Sequence, residues 1–141
     1  KRLLGAWRYQ KNRTVLHTDD TLMPTNKNAM ASWNFIRSIG KEKGSPLTLT
    51  YHMNRLQGLK TVNQYYVTLN SVKKIPKDKV IASMDYYHPT YTFKSMNTQS
   101  ELHKLNGING TYFCGSYFGF GFHEDAVRSG VDVAKLLGCD L

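Results

Sequence analysis

The sequence has no run of about 18 apolar residues, so no transmembrane helix is expected of it. Cysteine is scarce. Cys114 and Cys139 stand far apart without metal-ligand spacing, and Cys114, inside an apolar pattern, reads as a small buried thiol. That usage fits a reducing compartment, and a cytoplasmic location is expected. Acidic residues are also few, 10 against 19 Lys and Arg, for a net charge of +9. The chain opens on Lys1-Arg2 without a Met, and Trp7, Arg8, Gln10 and Lys11 interrupt any signal-peptide run. A start in mid-pattern suggests a fragment. No internal repeat and no low-complexity segment occurs.

Several motifs are missing as well. Gly119-Phe-Gly121 is not followed by two residues and a third Gly, and no Gly-Lys-Ser/Thr occurs, so neither a dinucleotide fingerprint nor a phosphate loop is present. His123-Glu124 would need a second His at the position of Val127 to make a zinc-protease helix. Ser116 lacks the Gly two residues before it that a hydrolase elbow requires. No metal site is expected. His17-Thr-Asp19-Asp20 could supply ligands together with His52 or His88, but no spacing rule supports it and turn capping explains the residues better.

What is there is globular: 141 residues, 40% hydrophobic and 12% aromatic. The positives gather at Lys41-Glu42-Lys43 and Lys73-Lys74-Ile75-Pro76-Lys77-Asp78-Lys79, beside Gly40, Gly44, Pro46 and Pro76. They read as solvated loops. Strands are expected at Thr14–Thr18, Met30–Arg37, Leu47–Met53, Gln64–Leu69 and Lys79–Tyr86. The short links between them favour antiparallel neighbours. The pattern changes near His88-Pro89. Apolar residues at Phe93, Met96, Leu102 and Leu105 predict a helix, stopped by Asn106-Gly107, and Thr111–Cys114 a strand. A final helix over His123–Leu137 carries the stripe Ala126, Val127, Gly130, Val131, Ala134 and Leu137. Glu124 and Asp125 fill its first turn, and Gly138 is placed to end it. The expected class is α+β, a mostly antiparallel sheet followed by helix, strand and helix.

Gly115, Gly119 and Gly121 crowd the approach to that last helix. Such glycines let backbone come close to a ligand, and a helix end offers unpaired N–H groups. They equally suit a tight turn, and spacing alone leaves both readings open.

Phe113-Cys114-Gly115-Ser116, Gly121-Phe122-His123-Glu124-Asp125-Ala126 and Ser129-Gly130 occur in the order of the C-terminal flavin-contacting segment of the flavin-containing amine oxidase superfamily, which this part of the chain resembles. Val15-Leu-His-Thr-Asp19, Leu22-Met-Pro24, Ala31-Ser-Trp-Asn34, Met53-Asn-Arg-Leu-Gln57, Val67-Thr-Leu-Asn70 and His88-Pro89 extend the likeness over most of the chain, toward a bacterial-type, amine-oxidase-like subgroup. Two positions depart from the family pattern. Ser116 stands where an acid is usual, and Asp125 where a small residue is usual.

The resemblance implies a C-terminal fragment of an FAD-dependent oxidoreductase. Residues 1–92 would belong to a substrate-binding domain and 93–141 would complete an FAD-binding domain. The site residues implied are Gly115, Ser116, Gly121, Phe122, His123 and Glu124, with the His123 amide at the flavin O2/N1 edge. A Rossmann-type N-terminal part of the same protein would supply the remaining FAD contacts, and the substrate would be a small molecule. No catalytic base is assigned, because no residue has a spacing that demands one. The isolated chain is expected to self-associate through Tyr117–Phe122. Two other readings compete: a basic, tyrosine-rich binding module for nucleic acid or another anionic partner, and a scaffold that has lost its activity. Nucleic acid is not the expected partner, since no aromatic-glycine RNA-binding signature occurs.

Overall fold

A computed structural model describes residues 2–37 and 47–139. Its elements make an α+β fold. The strands are β1 (Tyr9–His17), β2 (Trp33–Ile36), β3 (Thr48–His52), β4 (Tyr66–Leu69) and β5 (Val80–Pro89). The α-helices are α1 (Met53–Gln57), α2 (Phe93–Gln99) and α3 (His123–Leu136). Five strands form one sheet in the order β2-β3-β4-β1-β5. The Lys41-Glu42-Lys43 loop lies outside the described residues. By contact the chain divides into residues 11–87 and a second unit of residues 1–10 with 88–141.

In residues 11–87, β3 pairs antiparallel with both β2 and β4, and β4 with β1. Burial in β3 and β4 alternates with a period of two, and in β3 it is the polar set that is buried. Thr48, Thr50, His52, Tyr66 and Thr68 are buried, while Leu49, Tyr51, Val67 and Leu69 are only half-buried. The registers Asn34–Thr50, Thr50–Thr68 and Thr68–Val15 place a mostly polar row across four strands. Much of the polar face can be buried because its groups satisfy one another, with His52 Nδ1 left without a partner among the described residues. His17 Nε2 lies 2.7 Å from Thr68 Oγ1, and Thr50 Oγ1 2.9 Å from the same oxygen. Tyr66 lies between the rings of His17 and His52, at 5.6 and 5.2 Å. The apolar core of this unit is Val15, Leu22 and Ile75.

The unit of residues 1–10 and 88–141 packs around Trp7 and Leu102, with Tyr91, Leu105, Tyr117 and Phe118 against them. Trp7 meets Tyr91 edge-on at 5.2 Å and donates its indole N–H to Thr98 Oγ1 at 3.2 Å. Helix α2 starts with a capping box, Thr92 to Ser95. The cap sets the phase, so Ser95 and Thr98 turn inward and Phe93 is 90% exposed.

The helix expected through Leu105 therefore ends at Gln99, and a 3-10 helix over Leu102–Leu105 buries Leu102. The strand expected at Thr111–Cys114 is not formed. Asn106 Oδ1 accepts from Phe113 N at 2.7 Å instead, and the Thr111 amide donates to Ile108 O at 3.0 Å. Cys114 is accordingly exposed, not buried. Helix α3 matches its expected span, and Gly138 at φ 84° follows its end, with Cys139 N–H donating to Ala134 O. Its inward residues are Asp125 and Ser129, whereas Val127 and Leu137 of the expected apolar stripe are exposed. Among the described residues no helix is long and apolar enough to cross a membrane.

Candidate functional site

The glycine region forms a braced turn. A 3-10 helix over Ser116–Phe118 follows Gly115, and the chain doubles back so that the Gly121 amide donates to Ser116 O at 3.2 Å. Four side chains hold this turn. Gln99 spends both amide hydrogens on it, reaching Tyr117 O at 3.0 Å and Gly119 O at 2.6 Å. The Tyr91 hydroxyl lies 3.2 Å from Ser116 O and 3.1 Å from Gly119 O. Ser129 Oγ accepts from Gly115 N at 2.8 Å.

The fourth is Asp125, which is buried in the first turn of α3. Its Oδ2 accepts from the amides of Phe120 at 2.9 Å and Phe122 at 3.1 Å, and Arg128 pairs with Oδ1. The Phe122 amide bond, with Phe120 and Arg128 adding to it, holds the Asp125 carboxyl below the ordinary carboxylate range. Burial, and then the Asp125 charge, raise the Tyr91 phenol, so Tyr91 stays a hydrogen donor.

Three glycines are required by this geometry, among them Gly115, at φ 148°, where a Cβ would lie 2.7 Å from the Tyr117 ring. Gly121 sits at φ 94°, and a Cβ there would lie 2.9 Å from the Tyr91 hydroxyl. A Cβ on Gly119 would land inside the Asp125 carboxylate.

The outer side of the turn is bare. Phe120 is 82% and Phe122 62% exposed. Gly121, His123 and Glu124 are exposed too, with Phe122 as the N-cap and His123 as the first residue of α3. Gly115 and Ser116 are half-buried under Tyr117. The six residues singled out in the sequence thus share one turn. Gly121 to Glu124 form its open rim, and Gly115 and Ser116 its inner edge. Tyr117 and Phe118, expected on an exposed aromatic stretch, pack into the Trp7 core instead.

Sequence reading missed the supports Tyr91, Gln99 and Ser129 in their structural roles. Asp125 carried the one available signal, an acid three residues after an N-cap, where it can bond back to the cap amide. Asp19 near the start of the chain is a turn residue: its carboxylate accepts from Thr21 N at 3.1 Å and Thr21 Oγ1 at 2.9 Å. Among the described residues no three His, Cys, Asp or Glu side chains come together as a metal site would require.

The arrangement presents backbone donors and two phenyl rings on a turn braced by four side chains. No family model matches the chain, and no curated protein matches it either.

Proposed function

We propose that the turn over residues 115–124 is a flavin-contacting edge, and that the chain is the C-terminal part of an FAD-dependent, amine-oxidase-like oxidoreductase. The observation that carries this reading is the asymmetry of the turn. Four side chains brace one side of it. On the other side Gly121, Phe122 and the first amides of α3 stand open, as a planar ring with acceptor oxygens along one edge would need. The cofactor would supply the hydride chemistry, and these residues would orient it.

Asp125 changes the electrostatics of that contact. A bare helix N-terminus would stabilise negative charge at flavin N1 and O2 by up to ~2 kcal/mol. Here the chain's own carboxylate already occupies that end. The contribution to the flavin is therefore apolar contact with Phe122 and N–H donation from His123, with little net positive field.

In the longer protein that this reading requires, Gly121→Val closes the approach of backbone to ring. It is expected to lower flavin content by more than its cost in melting temperature from strain at φ 94° accounts for, whereas His123→Ala, whose contact is through the main chain, leaves content near the parent value. Absorbance of the bound flavin and a melting curve for both variants decide the matter. Full occupancy in a folded Gly121→Val protein would contradict the assignment. The present chain alone is expected to lose flavin on dialysis, because the groups for adenosine and pyrophosphate would lie in the Rossmann-type part.

A further inference from the structure

The lysine run at Lys73–Lys79 is more than a solvated loop. Within residues 11–87 it forms one wall of a cleft of about 760 Å³. That volume lies in the range of small-molecule sites. Arg13, Lys73, Lys74 and Lys77 line the cleft, and among the described residues no carboxylate does. None of these four cations is in an ion pair with a described carboxylate, since the pairs are Arg2–Glu101, Lys11–Asp85, Lys104–Glu101 and Arg128–Asp125. Asp78 neighbours Lys77 in sequence but does not line the cleft.

The floor is different in kind. Val15, Ile75 and Val80 form it, and Val15 and Ile75 belong to the buried apolar core.

The frame is rigid. Asn70, at φ 51°, donates its amide to Arg13 O at 2.8 Å, and its side-chain oxygen accepts from Arg13 N at 3.2 Å. The Asn70 side-chain amide reaches Asn12 Oδ1 at 2.8 Å, and Thr48 Oγ1 donates to Asn70 O at 2.6 Å. Ser71 Oγ donates to Lys73 O, fixing the next turn of the loop.

We propose that this cleft binds an amphiphilic anion, a phosphate monoester head on an apolar body. Clustered like charges around a concavity raise each other's energy and concentrate an oppositely charged solute. A dianionic head answers four cations better than a monoanion does. The apolar floor gives the body of the ligand a surface to cover, which inorganic phosphate cannot use. The inference is independent of the flavin reading, since none of its residues belongs to the glycine turn.

Octyl phosphate, below its micelle concentration, is the probe, with inorganic phosphate, octanol and octanoate as partial ligands. Titrations into the isotope-labelled chain are followed by amide shifts. The expected result is saturable binding that moves the amides of Asn70–Ile75, at least about tenfold tighter than either half-ligand and weaker at higher salt. Lys73→Gln combined with Lys74→Gln should weaken octyl phosphate about tenfold while octanol is unaffected. Val72→Ser, in the same loop, should weaken octyl phosphate and octanol alike. Arg13→Gln repeats the charge test from the strand side, should the loop variants fold poorly. Octyl phosphate binding no tighter than inorganic phosphate, or insensitive to all three charge removals, overturns the proposal. Tighter octanoate would replace phosphate by carboxylate as the head and overturn that part. An oligonucleotide that moves the same amides without any preference for octyl phosphate would show a polyanion surface instead.

Discussion

Thr68 serves two buried partners at once, the imidazole of His17 and the hydroxyl of Thr50. Replacing it by Val keeps the shape and strands both. Thr68→Val is expected to destabilise the chain by about 1–3 kcal/mol. Thr50→Val should cost less, because Thr68 keeps His17. Denaturant titrations of the two variants check the order. His17 itself is fully buried, and desolvation lowers its pKa against a smaller opposing pull from Asp19. The unfolded chain therefore binds a proton at His17 over a pH range in which the folded chain does not. Stability contributed this way is complete above about pH 6.5 and falls as pH drops below it, by at most ~1.4 kcal/mol per pH unit. Melting temperature against pH should show this slope in the parent chain and lose it in His17→Gln, whatever that variant's stability at neutral pH. A slope that survives in His17→Gln would contradict the account.

At the scale of elements, steric requirement and helix propensity separate cleanly in two glycines. A Cβ on Gly119, at φ −134° and ψ −137°, would collide with the Asp125 carboxylate. Gly119→Ala is expected to cost about 1–3 kcal/mol. Gly130 lies inside α3 with open space where a Cβ would go. Gly130→Ala should leave stability unchanged or raise it by up to ~1 kcal/mol. Thermal melts of the pair test whether the turn is as tightly braced as its hydrogen bonds indicate.

Element existence was legible where local signals agree. Helix α3 has an acidic first turn, a basic last turn and a glycine stop, and it forms as expected. Strands β3 and β4 form within the spans Leu47–Met53 and Gln64–Leu69 expected of them. Which face is buried was not legible, because a threonine reads as polar until its hydroxyl is known to have a partner such as Thr50 or His17. The helix through Leu105 misled for a related reason. Its apolar spacing was real, but the Thr92–Ser95 cap set another phase, and Thr98 found the Trp7 indole. In the glycine turn, the residues that face outward were visible in sequence. Tyr91 and Gln99, which hold the turn from beneath, lie too far away in sequence for any local pattern to show them.

For the whole molecule, exposed apolar side chains stand on the sheet as well as on the glycine turn. Trp33 and Phe35 are 49% and 65% exposed, and Trp33 meets Tyr51 edge-on at 5.5 Å on the same face. Exposed apolar surface of this kind drives association. The chain is expected to sediment as a dimer or larger species, and Phe120→Ser with Phe122→Ser, the more exposed pair, to reduce it toward monomer more than Trp33→Ser with Phe35→Ser does. The opposite order would move the principal contact to the sheet.

The central claim is that the outer edge of the turn meets a flavin ring. Riboflavin tests it most directly, since it carries the ring without the phosphate that the cationic cleft would attract. Titrated into the isotope-labelled chain, it is expected to bind weakly and to shift the amides of Gly119, Gly121, His123 and Glu124. Gly121→Val should abolish those shifts in a chain that is still folded. Shifts scattered over other aromatic residues, or unchanged in Gly121→Val, would contradict the claim.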